Sequence, residues 1–430
     1  MSYDRRKFLM QLGQASVANF AGGLLPITAW AAEAIAKTRD TDFNFVLFRV
    51  IGGMDSTLGL HPWTDQTTKF ADEDLWLNYD LRYETLKNIE GTQISLGAAA
   101  RSIAPFAKQM AIVRGIYMGA SDLGHPAAIQ HISSARTQDS APHWSSYIAE
   151  KYVSNSGFVV TNSSMQRGYL NSFPVISAGS LKQMSSVEEF STTSGLDLYT
   201  DKTLGVQRYI SLLASKPQLS KFAEVVQAQK GAGELQDESI ALASMVAGLS
   251  RVAQIDMDDL EHNLDTHAGH NAHREFQRMR WDRIAAFLKG LKDNGLFEKT
   301  LVVVVTEFNR SPGKNPNDGK DHNYTDNSVA LFGRDVQGGS VIGDHKIYLR
   351  APKRPLSLWA GKFINYKTGA IAEPDALNGT ENGKKKIQLP ADVDLIRPAD
   401  LWTTIVKSLG PELNKSLPPD GKRIPGVFKA

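Results

Sequence analysis

Short and almost wholly apolar runs recur along the chain, separated by longer stretches of mixed polarity. The strongest run, residues 301–306, contains four consecutive valines. Runs of four to eight apolar residues are typical of β-strands that are buried on both faces. The weaker runs cover residues 45–51, 111–116, 174–178, 329–332 and 346–349. This pattern predicts a buried sheet whose strands come from most of the length of the chain.

Helical patterns lie between the predicted strands. The clearest covers residues 271–292, where apolar residues between Phe276 and Leu291 recur near helical spacing. Asn294 and Gly295 end it, because glycine readily adopts the conformation that closes a helix. Alternating strands and helices form parallel sheets that carry helices on both faces. We therefore predict an α/β fold with a three-layer, doubly wound and mostly parallel sheet.

Two stretches differ from this pattern and are predicted to be insertions. Residues 153–203 are rich in serine, threonine and glycine, and residues 351–390 contain several prolines and an Asn-Gly turn signal. No internal repeat or long low-complexity linker divides the chain. We therefore predict a single α/β domain over residues 42–430, with loop insertions at about 153–203 and 351–390.

The first residues predict an export signal. Arg5 and Arg6 precede an uncharged stretch, and Ala29 and Ala31 frame a small-x-small cleavage pattern. Paired arginines before such a stretch are typical of the twin-arginine pathway. The alternative is a membrane anchor, which the polar residues and the proline inside the stretch disfavour. We expect residues 1–31 to engage the twin-arginine translocase and to be cleaved, leaving a mature protein in the periplasm or outside the cell.

Composition narrows the partners and the chemistry. The 430 residues include 48 Lys or Arg and 46 Asp or Glu, so the charge gives no reason to expect a nucleic-acid partner. No later run reaches the roughly 18 apolar residues of a membrane-spanning helix, and we expect no permanent membrane span. The chain contains no cysteine, which excludes disulfides, thiolate metal ligands and a cysteine nucleophile. Any metal must therefore be held by oxygen atoms and imidazole nitrogens.

Polar residues gather where predicted strands end, which is the region where doubly wound sheets bind ligands. Gly52, Gly53 and Asp55 follow the first predicted strand, where a plain turn is the alternative to a ligand site. Glu307 and Arg310 follow the strongest strand. There Glu307 would ligate a metal or act as a base, and Arg310 would hold an anionic group, unless the two form a buried ion pair.

Histidines and aspartates form two further groups. Asp265, His267 and His270 precede the long helix. Their side chains suit zinc, manganese or iron, and carboxylates also suit calcium, with a solvated helix start as the alternative. Asp321 and His322 lie in a polar loop, where they are either ligands or ordinary surface residues.

His125 stands apart from these groups, at a predicted helix start. That position favours anions and a neutral imidazole, and a plain surface histidine is the alternative.

Six features occur in an order that resembles one protein family. They are the arginine-led signal and the segments 52–55, 124–125, 265–267, 306–312 and 321–322. Together they resemble the bacterial domain-of-unknown-function 1501 family, exported proteins related to the alkaline phosphatase and sulfatase superfamily. The resemblance covers roughly residues 43–409. It implies an alkaline phosphatase-like α/β fold and a hydrolase centre with two divalent ions about 4 Å apart.

The resemblance also assigns residues to that centre. Carried over by motif, the metal ligands are Asp55, Asp265, His267, Glu307, Asp321 and His322, with His270 in support. The family's nucleophile has no clear counterpart, and Ser56 and Ser121 are the candidates. Because cysteine is absent, a formylglycine derived from it is excluded. Phe308 stands where phosphatases commonly carry a metal-binding histidine.

These observations lead to two hypotheses about function. The first is an exported hydrolase of phosphate, sulfate or related esters, on small or polymer-linked substrates. It would use one or two divalent ions, namely zinc, manganese, calcium or magnesium, with Arg310 and His125 beside the candidate serines in the catalytic site. The second is a non-catalytic exported binding or assembly protein that retains a vestigial metal site, or a structural one that holds a single calcium or zinc ion.

Overall fold

The apolar runs form strands, and eight of the described strands join into one central sheet. The structure is a computed structural model that describes residues 43–62, 86, 88–119, 123–135, 143–153, 158–162, 175–185, 216–230, 236–259, 261–349, 357–372, 379–381, 384–386, 389–409 and 421–429. The predicted signal at residues 1–31 and the candidate nucleophile Ser121 lie outside the described residues.

Strands and helices follow one another along the described part of the chain. The strands are β1 (Asn44–Val50), β2 (Met110–Val113), β3 (Val159–Thr161), β4 (Val175–Ser177), β5 (Val252–Met257), β6 (Thr300–Thr306), β7 (Asn309–Arg310), β8 (His322–Asn323), β9 (Val329–Gly333), β10 (Ser340–Ile342), β11 (His345–Leu349), β12 (Ser357–Gly361), β13 (Ile364–Asn365), β14 (Gly379–Glu381), β15 (Lys384–Lys386) and β16 (Val393–Asp394). The α-helices are α1 (Gly124–Ser134), α2 (Trp144–Lys151), α3 (Ala178–Ser185), α4 (Lys216–Lys230), α5 (Asp237–Val246), α6 (His273–Asp293) and α7 (Pro398–Leu409). Short 3-10 helices cover Ser56–Leu58, Ala98–Gln109, His270–Ala272 and Phe297–Lys299.

The central sheet is mostly parallel, as the sequence predicts. Its strand order is β10-β2-β9-β6-β1-β5-β3-β4, and only β9 runs antiparallel to its neighbours. Successive side chains of β1 point to opposite faces. Phe48 packs edge-on against Phe287 of α6 at 5.1 Å between ring centroids, whereas Phe45 faces Trp402 of α7. Helices therefore cover both faces, which confirms the three-layer α/β fold.

The strands predicted from apolar runs are confirmed, as is the long helix, which the structure places at α6. The run at residues 346–349 forms β11, which pairs with β12 outside the central sheet and not within it. The predicted insertion at residues 153–203 is wrong in part. Strands β3 and β4 lie within these residues and extend the central sheet, which a loop insertion would not do. The described parts of residues 351–390 instead form two-stranded ribbons outside that sheet.

The chain from Phe43 to Ala430 forms one compact unit. Among the described residues, no helix combines the length and apolar character that a bilayer crossing requires.

Strand β5 lies at the centre of the sheet although no apolar run predicts it. Its polar side chains have partners on other elements. Asp256 pairs with Arg49 of β1 through two contacts of 2.6 Å, and Gln254 accepts a hydrogen bond from Ser145 at 2.5 Å. His143 lies in the same buried group, with its Nδ1 3.3 Å from an Arg49 nitrogen. Buried polar groups are tolerated when they are paired in this way.

His143 generates a prediction about acid stability. Burial and the charge of Arg49 lower its pKa to about 3, against about 6.5 in an unfolded chain. Below pH 6.5 the unfolded state therefore binds a proton that the folded state does not bind, and the free energy of unfolding falls with pH. Between pH 7.5 and 5.0 this residue should contribute a loss of about 2 kcal/mol. Urea unfolding at both pH values measures this loss. The free energy of unfolding of His143→Gln should fall by about 2 kcal/mol less than that of wild type. An identical loss in both proteins would contradict the assignment.

Candidate metal centre

The sheet brings several loops to one edge. Strands β1, β5 and β6 are parallel neighbours, so the loops that follow them leave from the same side of the sheet. The small ribbon of β7 and β8 pairs Arg310 with His322, which places His322 beside the loop after β6. His125 enters from the first turn of α1. The polar groups that the sequence places at strand ends are thereby brought together.

Four side chains form a group that could hold a metal ion, and we refer to His125, Asp265, His267 and His322 as the His/Asp cluster. One ligand atom from each lies within 4.8 Å of the others, and no other such group occurs among the residues that the structure describes. Oxygens of Asp265 lie 3.2 Å from His125 Nε2, 3.3 Å from His267 Nε2 and 3.6 Å from His322 Nε2. The Nε2 atoms of His267 and His322 lie 2.8 Å apart.

The outer ring nitrogen of each histidine is held by another side chain. His125 Nδ1 donates to Glu307 at 2.7 Å. His267 Nδ1 lies 3.2 Å from Asp321, and His322 Nδ1 lies 2.9 Å from the hydroxyl of Tyr324. Metal-binding histidines generally have such a partner, which fixes the tautomer and turns the other nitrogen toward the ion.

The donor set fits a divalent ion. A tetrahedral ion with bonds of about 2.0–2.1 Å holds its ligand atoms about 3.3 Å apart. The separations of 3.2–3.6 Å around Asp265 are close to this value. The Nε2 atoms of His267 and His322, 2.8 Å apart, would have to separate slightly around the ion. His125 Nε2 supports the fit, because it is buried and makes no hydrogen bond among the described residues, although an Asp265 oxygen lies 3.2 Å away. Side-chain exposure of 45% for His267 and 31% for Asp265 leaves the cluster open to solvent on one side.

The electrostatics keep the cluster ready to bind a cation. Burial opposes the ionisation of Asp265, but the hydrogen bond and charge of Arg310 outweigh it and lower the pKa of this carboxyl. Burial and the charge of Arg310 lower the pKa of His322 to about 4, so its imidazole is neutral at pH 7. Burial lowers the pKa of His125, but the hydrogen bond and charge of Glu307 outweigh burial and raise that pKa. Metal binding requires an ionised carboxylate and neutral imidazoles, so Asp265 and His322 already have the required protonation states.

Glu307 supports the cluster from outside. It has no exposed surface, and its Oε1 accepts from the backbone of Gly52 at 2.5 Å as well as from His125. The side-chain partner of Glu307 is therefore His125. The structure does not form the Glu307–Arg310 ion pair that the sequence left open. Glu307 bonds to the edge of the imidazole that faces away from the cluster, where it orients a ligand. Asp321 acts on His267 in the same way.

Phe308 forms a wall of the site. Its buried ring lies 4.1 Å from the ring of His322 and 5.0 Å from that of His125, measured between centroids. A Cβ on Gly53 would lie 2.4 Å from the Phe308 ring, so only glycine fits there. The residue that cannot coordinate a metal thus restricts the two imidazole rings.

Arg310 does not have the role that the sequence suggested. Its guanidinium is fully buried, and all three nitrogens donate to protein atoms. The acceptors are Asp265 and the backbone carbonyls of Gly52, Gly53, Leu264 and Lys320. In this arrangement Arg310 holds the loops together, and it is not available to bind an anionic substrate group.

Asp55 and His270 are not part of the His/Asp cluster. Asp55 has no exposed surface and pairs with Lys320 at 2.5 Å. His270 contacts the same carboxylate at 3.3 Å and the hydroxyl of Thr266 at 2.6 Å. The structure therefore places two predicted ligands in a neighbouring buried network, apart from the His/Asp cluster.

Ser56 is buried, and its hydroxyl lies 3.5 Å from that of Ser328. Its backbone N–H donates to Asn309 at 2.9 Å. Ser56 lines a cavity of about 10 Å³ with Asp55 and Trp281, which leaves no room for an ester.

Sequence reasoning missed two contributors to this region. Tyr324, two residues after His322, orients that histidine. Lys320 belongs to the same Gly-Lys-Asp-His segment as the predicted ligands Asp321 and His322. Proximity in sequence could have drawn attention to both, but their partners are set by the fold.

Comparison with known proteins agrees in part with the resemblance. The model of the family described as "Protein of unknown function (DUF1501)" matches residues 213–352. This segment includes three members of the His/Asp cluster, Asp265, His267 and His322, and excludes His125. No curated protein matches the chain.

Several solved structures are similar to this chain at low identity and low TM-score. The lipoteichoic acid synthase LtaP from Listeria monocytogenes is 8% identical, with a TM-score of 0.35 and coverage of 73% of each chain. The PsFucS1 sulfatase from Pseudoalteromonas sp. is 10% identical, with a TM-score of 0.32, and 74% of this chain and 68% of that chain are covered. Alkaline phosphatase from the Antarctic bacterium TAB5 is 13% identical, with a TM-score of 0.31, covering 69% of this chain and 93% of that chain. Likenesses of this size say nothing about individual residues of the site.

Metal binding at the His/Asp cluster can be measured directly. Protein stripped with a chelator should bind Zn²⁺, and saturation at 100 times Kd should raise the free energy of unfolding by about 2.7 kcal/mol. His267→Ala and His322→Ala should each lose most of this stabilisation, because each removes a ligand. Calorimetric titration and thermal melts give both quantities. His262→Ala is the matched control, since His262 pairs with Asp259 outside the cluster. Equal metal binding by the control and the cluster variants would refute the site.

Proposed function

We propose that the protein is an exported metal-dependent hydrolase of phosphate, sulfate or related esters. The observation that carries this proposal is the His/Asp cluster, in which three imidazole Nε2 atoms and one carboxylate converge at the loop edge of an α/β sheet. The ester class and the export route come from the sequence resemblance and the arginine-led signal. The cluster supports the metal-dependent part of the proposal.

The donor types favour some ions over others. Imidazole nitrogens suit zinc and manganese, whereas calcium and magnesium prefer oxygen ligands throughout. Of the ions predicted from the sequence, zinc and manganese therefore fit best. When bound at the His/Asp cluster, such an ion would supply positive charge for the oxygens of an anionic ester.

The chain's own residues prepare the site. Glu307 and Asp321 hold two of the imidazoles in orientation, and Phe308 restricts the rings. The partial exposure of His267 and Asp265 gives an ester in solvent access to the cluster, whereas a purely structural metal site is usually closed. In the reaction, the oxygen of water bonds to phosphorus or sulfur and the bond to the ester oxygen breaks. The departing alcohol keeps the ester oxygen and takes up the proton that water releases.

Water is the proposed attacking group because Ser56 is enclosed. Ser121 stays a prediction from the sequence as a covalent nucleophile. Its replacement by alanine would separate the two routes, since direct attack by water does not need this hydroxyl.

A second candidate function is a non-catalytic binding or assembly protein. One observation favours it: the guanidinium of Arg310, which the sequence suggested as an anion clamp, is fully engaged by the protein. Such a protein would keep the metal as a structural or ligand-binding element without turning over an ester.

Turnover separates the two candidates. Zinc- or manganese-loaded protein should hydrolyse p-nitrophenyl phosphate or p-nitrophenyl sulfate. The rate is measured from the nitrophenol that is released. Glu307→Gln should reduce activity by about 10–100-fold, because outer partners of metal ligands typically contribute that much. Asp265→Ala should abolish it, and His262→Ala should retain it. Loaded protein that binds metal yet turns over neither ester, nor related phosphodiesters, would favour the binding protein.

The export route has a separate test. Replacing Arg5 and Arg6 together by lysine should leave the protein in the cytoplasm as a longer precursor, because the translocase reads the arginine pair. Cell fractionation and the mass of the mature chain measure the outcome. Normal export of the double-lysine variant would exclude the twin-arginine route and leave the metal centre unaffected.

A further inference from the structure

Asp55 and Lys320 form an ion pair that has no exposed surface. Lys320 Nζ lies 2.5 Å from Asp55 Oδ2. The other carboxylate oxygen, Oδ1, accepts from the backbone N–H of Thr57 at 2.9 Å and from its hydroxyl at 2.6 Å. Both oxygens of the carboxylate therefore already have donors, which are supplied by the protein itself.

The charges in this network balance without a metal ion. Burial lowers the pKa of His270 to about 4 and that of His273 well below its usual range, so both imidazoles are neutral at pH 7. The single negative charge of Asp55 is matched by the ammonium of Lys320. A divalent ion next to Asp55 would add uncompensated positive charge in a buried region, at close range to that ammonium.

The backbone around Lys320 is fixed by its neighbours. Its N–H donates to the carbonyl of Thr266 at 3.0 Å, and its carbonyl accepts from Arg310 at 3.0 Å. A Cβ at Gly319 would lie 2.1 Å from the carbonyl of His267, so this segment packs directly on the loop that supplies the cluster. Lys320 thus reaches Asp55 from a backbone position that the metal centre itself defines.

The family resemblance implies two divalent ions with Asp55 as a ligand, and this chain does not fit that arrangement. We propose that the ammonium of Lys320 occupies the place of the second cation, and that the protein holds a single divalent ion, at the His/Asp cluster. The single-ion part rests on the proposed function. The ammonium is part of the chain itself and is held 2.5 Å from Asp55, so the loops beside Asp55 stay in place whether or not metal is supplied.

Metal stoichiometry tests the proposal. Wild type and the double variant Asp55→Asn/Lys320→Met are stripped with a chelator and titrated with Zn²⁺, and bound zinc is counted by elemental analysis after dialysis. The double variant removes both charges together, which leaves neither partner buried and unpaired. Both proteins should bind one equivalent of Zn²⁺. A second equivalent in wild type, or a lower content in the double variant, would overturn the proposal.

A double-mutant cycle tests the pairing without metal. In the presence of a chelator, Asp55→Asn and Lys320→Met alone should each lower the melting temperature, because each leaves a buried charge without its partner. The double variant should melt above both single variants. A loss equal to the sum of the two single losses would show that the charges do not act as a pair, and would overturn the proposal.

Zinc stoichiometry and ester turnover together distinguish the role of Lys320 from the proposed function. Zero equivalents of Zn²⁺ in wild type would refute the metal-dependent function and the single-ion centre together. Two equivalents in wild type, with turnover that depends on Asp265, would leave the hydrolase intact and overturn the role of Lys320 alone.

Discussion

The buried guanidinium of Arg310 is the interaction on which the rest of the site depends. It donates to the carbonyls of Gly52, Leu264 and Lys320, which belong to three different loops, and to the carboxylate of Asp265. A buried guanidinium is costly unless its donors are paired, so these loops must approach closely enough to satisfy it. That requirement brings the backbone segments of the centre into one place.

The same rule, that a buried charge needs a partner, divides the site into two regions. Asp55 is fully enclosed and is neutralised by the ammonium of Lys320. Asp265 is partly exposed, and its carboxylate oxygens lie next to imidazole nitrogens of His125 and His267. The carboxylate of Asp55 is therefore neutralised by the protein alone. The carboxylate of Asp265 lies among imidazole nitrogens whose lone pairs are suited to an external cation. The difference in exposure matches the difference in proposed role.

The sequence predicts a strand correctly where nearly every side chain of that strand is apolar because both faces are buried. The four valines of β6 lie on a strand that is buried on both faces, and they form an uninterrupted apolar run in the sequence. Strand β5 is equally central, but Gln254 and Asp256 interrupt its apolar pattern. These residues are compatible with a buried strand only because Ser145 and Arg49 meet them. Their partners lie about 100 to 200 residues away, and local periodicity contains no information about them.

The sequence by itself determined the α/β class, the chemistry of the donors and the segments from which they come. Asp265, His267 and His322 could be named as candidates because carboxylates and imidazoles at strand ends are suited to metals. Tertiary structure decided which candidates converge. It added His125 from a helix start, moved Glu307 behind that imidazole, and paired Asp55 with Lys320. Residue type sets what a side chain can bind, but the choice among partners depends on distances of a few ångströms, which only the packed loops define.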